Sequence, residues 1–382
     1  MQKNWEPGLS RTIIARIEIA TTLISDAQFR FWTTLGGSSG SQPTSSTQSR
    51  RNPRSIMQAT LAATATPRPL VRFAWGVLGY FVAVILWGTI VRATGSGAGC
   101  GNHWPLCNGT VLQHSATTQT LIEFVHRITS GLSLVAVLTL CGWSWRATAR
   151  GHLARWFAAG SVAFTLTEAL LGAMLVRLGL TAESQSPLRP WFLALHLANT
   201  LLLLGAITLT AHFLSRPRGR DLASIRLVAP FAALGGILIV LLVGVTGSLA
   251  ALGDTLFPAA SLTSALTQDL SSASAWLLRW RWAHPACALL AGAFLFWILA
   301  RADRGAQKEE NRPLARLVLG LLATVYALGL LDVTLLAPVW VQVLHLAAAD
   351  ALWASLVVLT ARLTFEAKGD EATGGEVLGA RF

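Results

Sequence analysis

Residues 191–214 read WFLALHLANTLLLLGAITLTAHFL and carry no Asp, Glu, Lys or Arg. A helix needs about 20 apolar residues to cross a hydrocarbon core about 30 Å thick. The stretch is long enough to do so, and His196 lies near its start. It therefore predicts a membrane-spanning helix with a ligand-type side chain close to one membrane face.

Seven more runs of roughly 18 to 25 predominantly apolar residues occur along the chain. The composition agrees, with 53% hydrophobic and 13% charged residues, against about 25% charged residues in an ordinary soluble domain. We therefore expect an all-α integral membrane protein with eight transmembrane helices. Only Ala337-Pro338 separates the last two runs, so a count of seven spans stays open. The eight runs lie near 72–91, 121–145, 154–176, 191–214, 226–250, 276–300, 314–336 and 338–362.

Basic residues concentrate in alternate connections, which predicts the orientation in the membrane. Positively charged loops stay on the cytoplasmic side, so the connections after the second, fourth and sixth runs, and both termini, are expected there. This pattern accounts for the net charge of +12 without a nucleic-acid partner. We expect a multi-pass protein of a bacterial inner membrane. The residues are Arg50, Arg51, Arg54, Arg68, Arg72, Arg146, Arg150, Arg155, Arg216, Arg218, Arg220, Arg226, Arg301, Arg304, Lys308, Arg312, Arg316, Arg362 and Lys368.

Four histidines, His126, His196, His284 and His345, fall near the starts of the even-numbered runs. With the orientation above, all four lie toward the outer face. One isolated intramembrane histidine more often makes a structural hydrogen bond than binds a metal. Four at one depth reverse that preference, because two histidines on different helices can hold the axial positions of a haem. A bare metal site is less favoured, since no carboxylate or Cys completes a ligand set in the second half.

The two halves of the chain resemble each other, which predicts two pseudo-repeated four-helix bundles. Leu195-His196-Leu197-Ala198 matches Leu344-His345-Leu346-Ala347, and Val91-Arg92-Ala93-Thr94-Gly95-Ser96 is echoed by Gly244-Val245-Thr246-Gly247-Ser248. The predicted parts are a disordered extension over 1–70, an N-terminal bundle over 71–215, a cytoplasmic linker over 216–225, a C-terminal bundle over 226–365 and a cytoplasmic tail over 366–382.

The site three residues before the first histidine of each half differs, with Glu123 before His126 and Arg281 before His284. A carboxylate at this spacing shares a helix face with the histidine and can accept a proton or stabilise positive charge. The alternative is that Glu123 forms an ion pair with Arg127 or Arg92. Arg281 and its neighbour Arg279 are candidates for holding haem propionates.

Cys100 and Cys107 lie in the first outer loop, Gly99-Cys100-Gly101-Asn102-His103-Trp104-Pro105-Leu106-Cys107. On the oxidising side of a membrane a disulfide is favoured over two free thiols, and its redox state could affect activity. The second half has no matching pair. Two more acidic residues, Glu168 and Asp332, lie within apolar runs, where a functional role and satisfied polar contacts are equally good interpretations.

Several of these pieces together resemble the haem A synthase family. They are Thr94-Gly95-Ser96-Gly97 leading to Cys100, Trp104-Pro105-Leu106-Cys107, Glu123 with His126-Arg127, and Ala337-Pro338-Val339-Trp340 ahead of His345. The similarity covers roughly 70–365, the helical part of the chain. The resemblance implies oxidation of the C8 methyl of haem O to a formyl group, giving haem A with oxygen taken from water.

By the same resemblance, His126 and His196 contact the substrate haem O, with Arg92 and Arg127 as further contacts. His284 and His345 then ligate a haem b cofactor, Glu123 is the essential acid, and the loop disulfide takes part in haem handling. The implied partners are a protohaem farnesyltransferase, which makes haem O, and the assembly pathway of cytochrome c oxidase. The chain departs from family members that have a second cysteine pair, and Glu168 and the long N-terminal extension are also atypical.

Two other functions fit part of the pattern. A di-haem b electron carrier would explain the four histidines, but a symmetric carrier needs neither a one-sided acid nor a one-sided cysteine pair. A duplicated transporter would need polar groups through the membrane depth, whereas the histidines cluster near one face. The electron acceptor and the oligomeric state, including a homo-oligomer, stay open.

Overall fold

The computed structural model describes residues 66–110, 116–182, 184–216, 225–227, 230–302 and 308–367. Most of the predicted extension over 1–70, most of the linker over 216–225 and the tail beyond residue 367 lie outside the described residues. So do seven of the basic residues used to predict the orientation, Arg50, Arg51, Arg54, Arg218, Arg220, Arg304 and Lys368.

Within the described ranges the chain forms eight long α-helices and two short ones, with one turn of 3-10 helix over Ser96–Ala98. The long helices are α1 (Arg68–Ala93), α2 (Thr118–Ala147), α3 (Leu153–Arg177), α4 (Leu188–Leu214), α5 (Pro230–Leu256), α8 (Ala283–Ala302), α9 (Lys308–Thr334) and α10 (Val339–Thr364). The short ones are α6 (Leu262–Leu270) and α7 (Trp276–Arg279). Two three-residue strands, β1 (Ile225–Leu227) and β2 (Phe365–Ala367), pair antiparallel, with Ile225 opposite Ala367.

Seven of the long helices are long and apolar enough to cross a membrane, and α8 is not among these seven. Large apolar side chains of these seven helices are exposed, as expected for surfaces that meet lipid rather than water; Leu132, Leu170 and Leu330 are examples. The protein is therefore a helical, multi-pass membrane protein, and the eighth span stays a prediction.

The break between the last two helices lies where the sequence places it. Leu336 and Ala337 have positive φ angles of 61° and 58°, and Pro338 directly precedes α10. Proline cannot donate the backbone hydrogen bond that would continue α9. The chain therefore turns back at this point, and α9 and α10 pack against each other.

The sixth apolar run is interrupted, which corrects the predicted helix over 276–300. Residues 276–279 form α7, a turn follows, and α8 starts only at Ala283. A continuous helix would place Pro285 where the Arg281 carbonyl needs a hydrogen-bond donor, whereas in the first turn of α8 its missing N–H costs nothing. Arg281 thus lies in the turn, and the match with Glu123 holds in sequence but not in local structure.

The centre of the molecule is α4, which packs against α1, α3, α5 and α10. Leu203, Leu204 and Ile207 are fully or almost fully buried there. On α10, the Trp353 Nε1–H donates to the carbonyl of Leu201 at 2.7 Å, in a buried contact. The core therefore joins the first four long helices to the last four, and the histidines lie toward one end of it.

Candidate functional site

The C-terminal histidines face each other across the bundle. His284, at the start of α8, and His345, in α10, have ring centroids 6.3 Å apart and ring planes at 82°. Since an imidazole nitrogen binds a first-row metal at about 2 Å, two axial imidazoles on one iron have ring centres about 6 Å apart. The pair therefore has the spacing that an iron between the two rings requires.

The orientation of the His284 ring agrees with such a role. Its Nδ1 lies 3.2 Å from the carbonyl oxygen of Val243 on α5. A histidine that binds a metal through one nitrogen commonly donates the other N–H to a carbonyl or carboxylate. The contact with Val243 thus leaves Nε2 of His284 for a ligand.

The N-terminal pair consists of His126 on α2 and His196 on α4, which lie close enough to interact electrostatically. Both rings are half-buried. Within the described part of the chain, neither Nδ1 has a hydrogen bond of normal geometry. The structure thus brings together both predicted pairs, each drawn from two helices.

Glu168, on α3, is part of the N-terminal site. Its Oε1 lies 3.4 Å from Nδ1 of His196, within ion-pair reach but without hydrogen-bond geometry. Asn199 donates to Oε2 at 2.5 Å, and the Thr200 hydroxyl donates to Oε1. The carboxylate therefore has the satisfied polar contacts of one of the two interpretations, and it also faces one of the four histidines; a functional role for it stays a prediction.

Glu123 is buried near the start of α2 with 3% of its surface exposed. Its Oε2 accepts the backbone N–H of Cys100 at 2.8 Å, and its Oε1 accepts Nη2–H of Arg127 at 2.5 Å. Arg127 in turn donates to the carbonyl of Leu106 at 2.6 Å and to that of His103. The alternative of an ion pair with Arg127 is therefore present, and the pair fastens the loop to α2.

Cys100 and Cys107 form a disulfide, as predicted, and both are buried. The loop they close lies against the first turn of α2, where the Thr120 hydroxyl donates to the carbonyl of Gly99 at 2.8 Å. A Cβ on Gly99 would lie 2.5 Å from backbone atoms of Gln119. Glycine is therefore needed for this close approach, and the loop, Glu123 and Arg127 form one structural unit.

Arg92, at the end of α1, binds residues of the other half of the chain. It donates to the Ala251 carbonyl at 2.8 Å, to the Thr255 hydroxyl at 2.7 Å and to Gln342 Oε1 at 2.6 Å. These contacts use both terminal nitrogens of the guanidinium. The predicted role of Arg92 as a contact of substrate haem stays a prediction.

Arg281 is held between two carboxylates, Asp254 at 2.8 Å and Asp269 at 2.7 Å. Burial alone would lower the pKa of this guanidinium, but the bonds and charges of the two carboxylates raise it above its ordinary value. Arg279 is exposed. Neither aspartate was singled out by the sequence, because neither has a distinctive spacing from a histidine. Propionate binding by Arg279 and Arg281 stays a prediction.

Each histidine also lies against a glycine of the preceding long helix, a feature that the sequence analysis missed. The pairs are Gly88 with His126, Gly172 with His196, Gly247 with His284 and Gly329 with His345. The predicted match of Thr94-Gly95-Ser96 with Thr246-Gly247-Ser248 is wrong, because Gly95 lies in the turn after α1 whereas Gly247 lies inside α5. By contact with histidine, the counterpart of Gly247 is Gly88.

Helices long and apolar enough to span a membrane, histidines paired across them and a disulfide-closed loop define a class of multi-pass helical membrane protein with paired histidines inside the bundle. The chain belongs to the COX15-CtaA family of cytochrome oxidase assembly proteins, whose model matches residues 71–357.

Several curated proteins are similar to the chain. A protein named protoheme IX farnesyltransferase from Thermus thermophilus is 42% identical over 316 residues, 81% of this chain and 51% of the relative. The Heme A synthase of Bacillus licheniformis is 42% identical over 99 residues, 26% of this chain and 32% of the relative. That of Geobacillus kaustophilus is 37% identical over 142 residues, 37% of this chain and 42% of the relative. The chain thus spans about half the length, or less, of these relatives.

Proposed function

We propose that the protein is a haem A synthase, an oxidoreductase that converts the C8 methyl group of haem O to the formyl group of haem A for terminal cytochrome oxidase. The observation that carries this proposal is the 6.3 Å spacing of the His284 and His345 rings. A second histidine pair lies in the half that contains the Glu123–Arg127 ion pair and the Cys100–Cys107 disulfide loop. Family membership and the relatives named Heme A synthase support it.

We assign the two pairs to two pseudo-repeated bundles, 71–215 and 226–365. His284 and His345 would hold the haem b cofactor, and the spacing of their rings fits that group. Bound there, haem b supplies one-electron transfer. His126 and His196 would hold the substrate haem O, since their half contains the acid.

Glu123 is the proposed catalytic group. Arg127 and the Cys100 N–H hold its carboxylate at the histidine end of α2. In the oxidation, a water oxygen bonds to the methyl carbon, hydrogens leave that carbon as protons, and the electrons pass to an acceptor outside this chain. A carboxylate at this place can take the proton of the attacking water or stabilise positive charge developing on the carbon.

We place the protein in a bacterial inner membrane with both termini in the cytoplasm and the histidine end at the outer face. Basic residues flank the opposite helix ends, such as Arg146 at the end of α2 and Arg362 at that of α10. The haem O would come from a farnesyltransferase. The Thermus relative supports that partner, because a protein named farnesyltransferase matches this chain along half of its length.

A di-haem b electron carrier is the alternative that the histidine pairs alone allow. The Glu123–Arg127 pair and the disulfide loop favour the enzyme, because electron transfer between two equivalent haems uses neither. The C-terminal half has Arg281 with Asp254 and Asp269 in the corresponding region. This asymmetry is expected of one substrate site and one cofactor site.

The test is the haem content of the protein purified from cells that also express a haem O-forming farnesyltransferase. Pyridine haemochrome spectra and haem chromatography should reveal haem A or its hydroxylated intermediate. The His126→Ala variant should lose both products and keep haem b. Two haem b per chain with no modified haem would favour the electron carrier instead.

A further inference from the structure

Four glycines lie inside long helices, where glycine is a poor helix former. Gly88, Gly172, Gly247 and Gly329 lie inside α1, α3, α5 and α9. Glycine in a helix interior is less favourable than alanine. Each of these glycines faces the Cε1 atom of one of the four histidines, so the missing side chain is the feature to explain.

The space at these glycines is tightly filled by the imidazole in three cases and loosely in one. A Cβ would lie 3.0 Å from Cε1 of His284 at Gly247, 3.1 Å from that of His126 at Gly88 and 3.2 Å from that of His345 at Gly329. At Gly172 the distance to Cε1 of His196 is 3.7 Å, an ordinary van der Waals contact. Alanine would therefore require three of the rings to shift by a few tenths of an ångström and leave the fourth in place.

The C-terminal pair indicates what the close approach achieves. A helical side chain covers the turn before its own Cα, so a glycine leaves the carbonyl four residues earlier uncovered. His284 Nδ1 lies 3.2 Å from the carbonyl of Val243, four residues before Gly247. The carbonyl of Val325, four residues before Gly329, lies near the His345 ring, but the Nδ1 of His345 has no hydrogen bond among the described residues.

We propose that Gly88, Gly247 and Gly329 are positioning residues for the haem-binding imidazoles. Without a Cβ, each ring lies directly against the preceding helix; at Gly247 the Nδ1 of His284 lies beside a backbone carbonyl, which leaves Nε2 for the iron. The inference rests on the proposed haem ligation. Gly172 is not included, because its Cβ position is 3.7 Å from the His196 ring and Glu168 lies beside the Nδ1 of that ring.

The experiment compares Gly247→Ala and Gly329→Ala with Gly320→Ala in the full-length protein. Gly320 lies on α9 with Gly329, and a Cβ there meets nothing within 4 Å. Second-layer changes around metal-binding histidines weaken metal binding about ten- to a hundredfold. We expect haem b affinity to fall by that factor in the first two variants, with loss of the low-spin electron paramagnetic resonance signal in chains that keep haem. Gly320→Ala should match the unmodified protein.

The N-terminal site serves as the folding check. Gly88→Ala should keep low-spin haem b and lose haem O binding, whereas Gly172→Ala and the open-position control Gly79→Ala should keep both. The proposal is overturned if Gly247→Ala and Gly329→Ala bind haem b as Gly320→Ala does, or if Gly88→Ala loses haem b as fully as haem O. If His284→Ala retained low-spin haem b, the proposed ligation itself would fail, independently of the glycines.

Discussion

Glu123 combines two roles at the scale of a single residue, because the group proposed for catalysis also fastens the disulfide loop. Its carboxylate accepts hydrogen bonds from Arg127 and from the Cys100 N–H. Replacing it therefore changes both the chemistry and the loop. A variant that breaks the same ion pair but keeps the acid is needed to separate them, and Arg127→Gln provides it.

We expect Glu123→Gln to form haem A at least about a hundredfold more slowly, since general acid–base groups contribute about that much or more, with unchanged haem b content. Arg127→Gln should cost much less, because it loosens the loop and leaves the acid. Single-turnover formation of haem A measures both. If both variants slowed haem A formation equally, the role of Glu123 would be to hold the disulfide loop and not to act in the chemistry.

Glu168 makes a second prediction at this scale. A carboxylate beside the imidazole nitrogen that does not bind the metal increases the basicity of the histidine ligand and stabilises the oxidised iron. Glu168→Gln should therefore raise the reduction potential of the haem at His126 and His196 by tens of millivolts. The haem b potential should stay unchanged, because Glu168 contacts only His196 among the four histidines. Potentiometric titration of both haems checks this, and equal shifts at the two haems would contradict it.

The sequence identified the histidines and Glu123 because ligand-type and acidic side chains are costly in apolar segments and so stand out there. It identified Cys100 and Cys107 because they lie together in a loop on the predicted oxidising side of the membrane. It could not identify Gly247 or Gly329 as partners of histidines. Glycine is common in such segments, and only the packing of two helices reveals that a ring fills the space beside it.

At the scale of elements, the two breaks near prolines illustrate the same limit. Pro338 separates two apolar runs of full length, so the boundary between α9 and α10 was visible in the sequence. Residues 276–282 are apolar apart from Arg279 and Arg281 and continue into α8. Hydropathy therefore predicts one helix where the structure has α7 and α8, and only the backbone hydrogen bonding around Pro285 separates the two.

The loop closed by Cys100 and Cys107 is the element with the most direct test. A cross-link over a loop of this length stabilises it by about 2 to 3 kcal/mol. In the double variant Cys100→Ser and Cys107→Ser, the Cys100 N–H should move away from Glu123. We expect faster hydrogen exchange of the loop amides and slower haem A formation, with haem b retained; Cys141→Ser, in α2, is the control. Unchanged exchange in the double variant would mean that Arg127 alone holds the loop.

At the scale of the whole molecule, the two predicted bundles are not independent bodies. Arg92 reaches from α1 to α5 and α10, and Trp353 on α10 binds the α4 backbone inside the shared core. Internal similarity in the sequence predicts where each half begins and ends. It carries no information about the contacts between the halves, because those arise from side chains that do not repeat.

Arg92 permits a prediction that separates assembly from substrate binding. Hydrogen bonds to a charged group contribute about 1.5 to 3 kcal/mol each, so Arg92→Gln should lower the thermal stability of the full chain in detergent by several degrees. The double variant Thr255→Val and Gln342→Leu removes two of its partners and keeps its charge, so it should reproduce most of that loss. If Arg92 only ties the halves together, the two proteins will bind haem O equally well at a temperature where both are folded. If its guanidinium also holds a propionate, Arg92→Gln alone will lose haem O affinity, since the double variant frees the arginine for that contact.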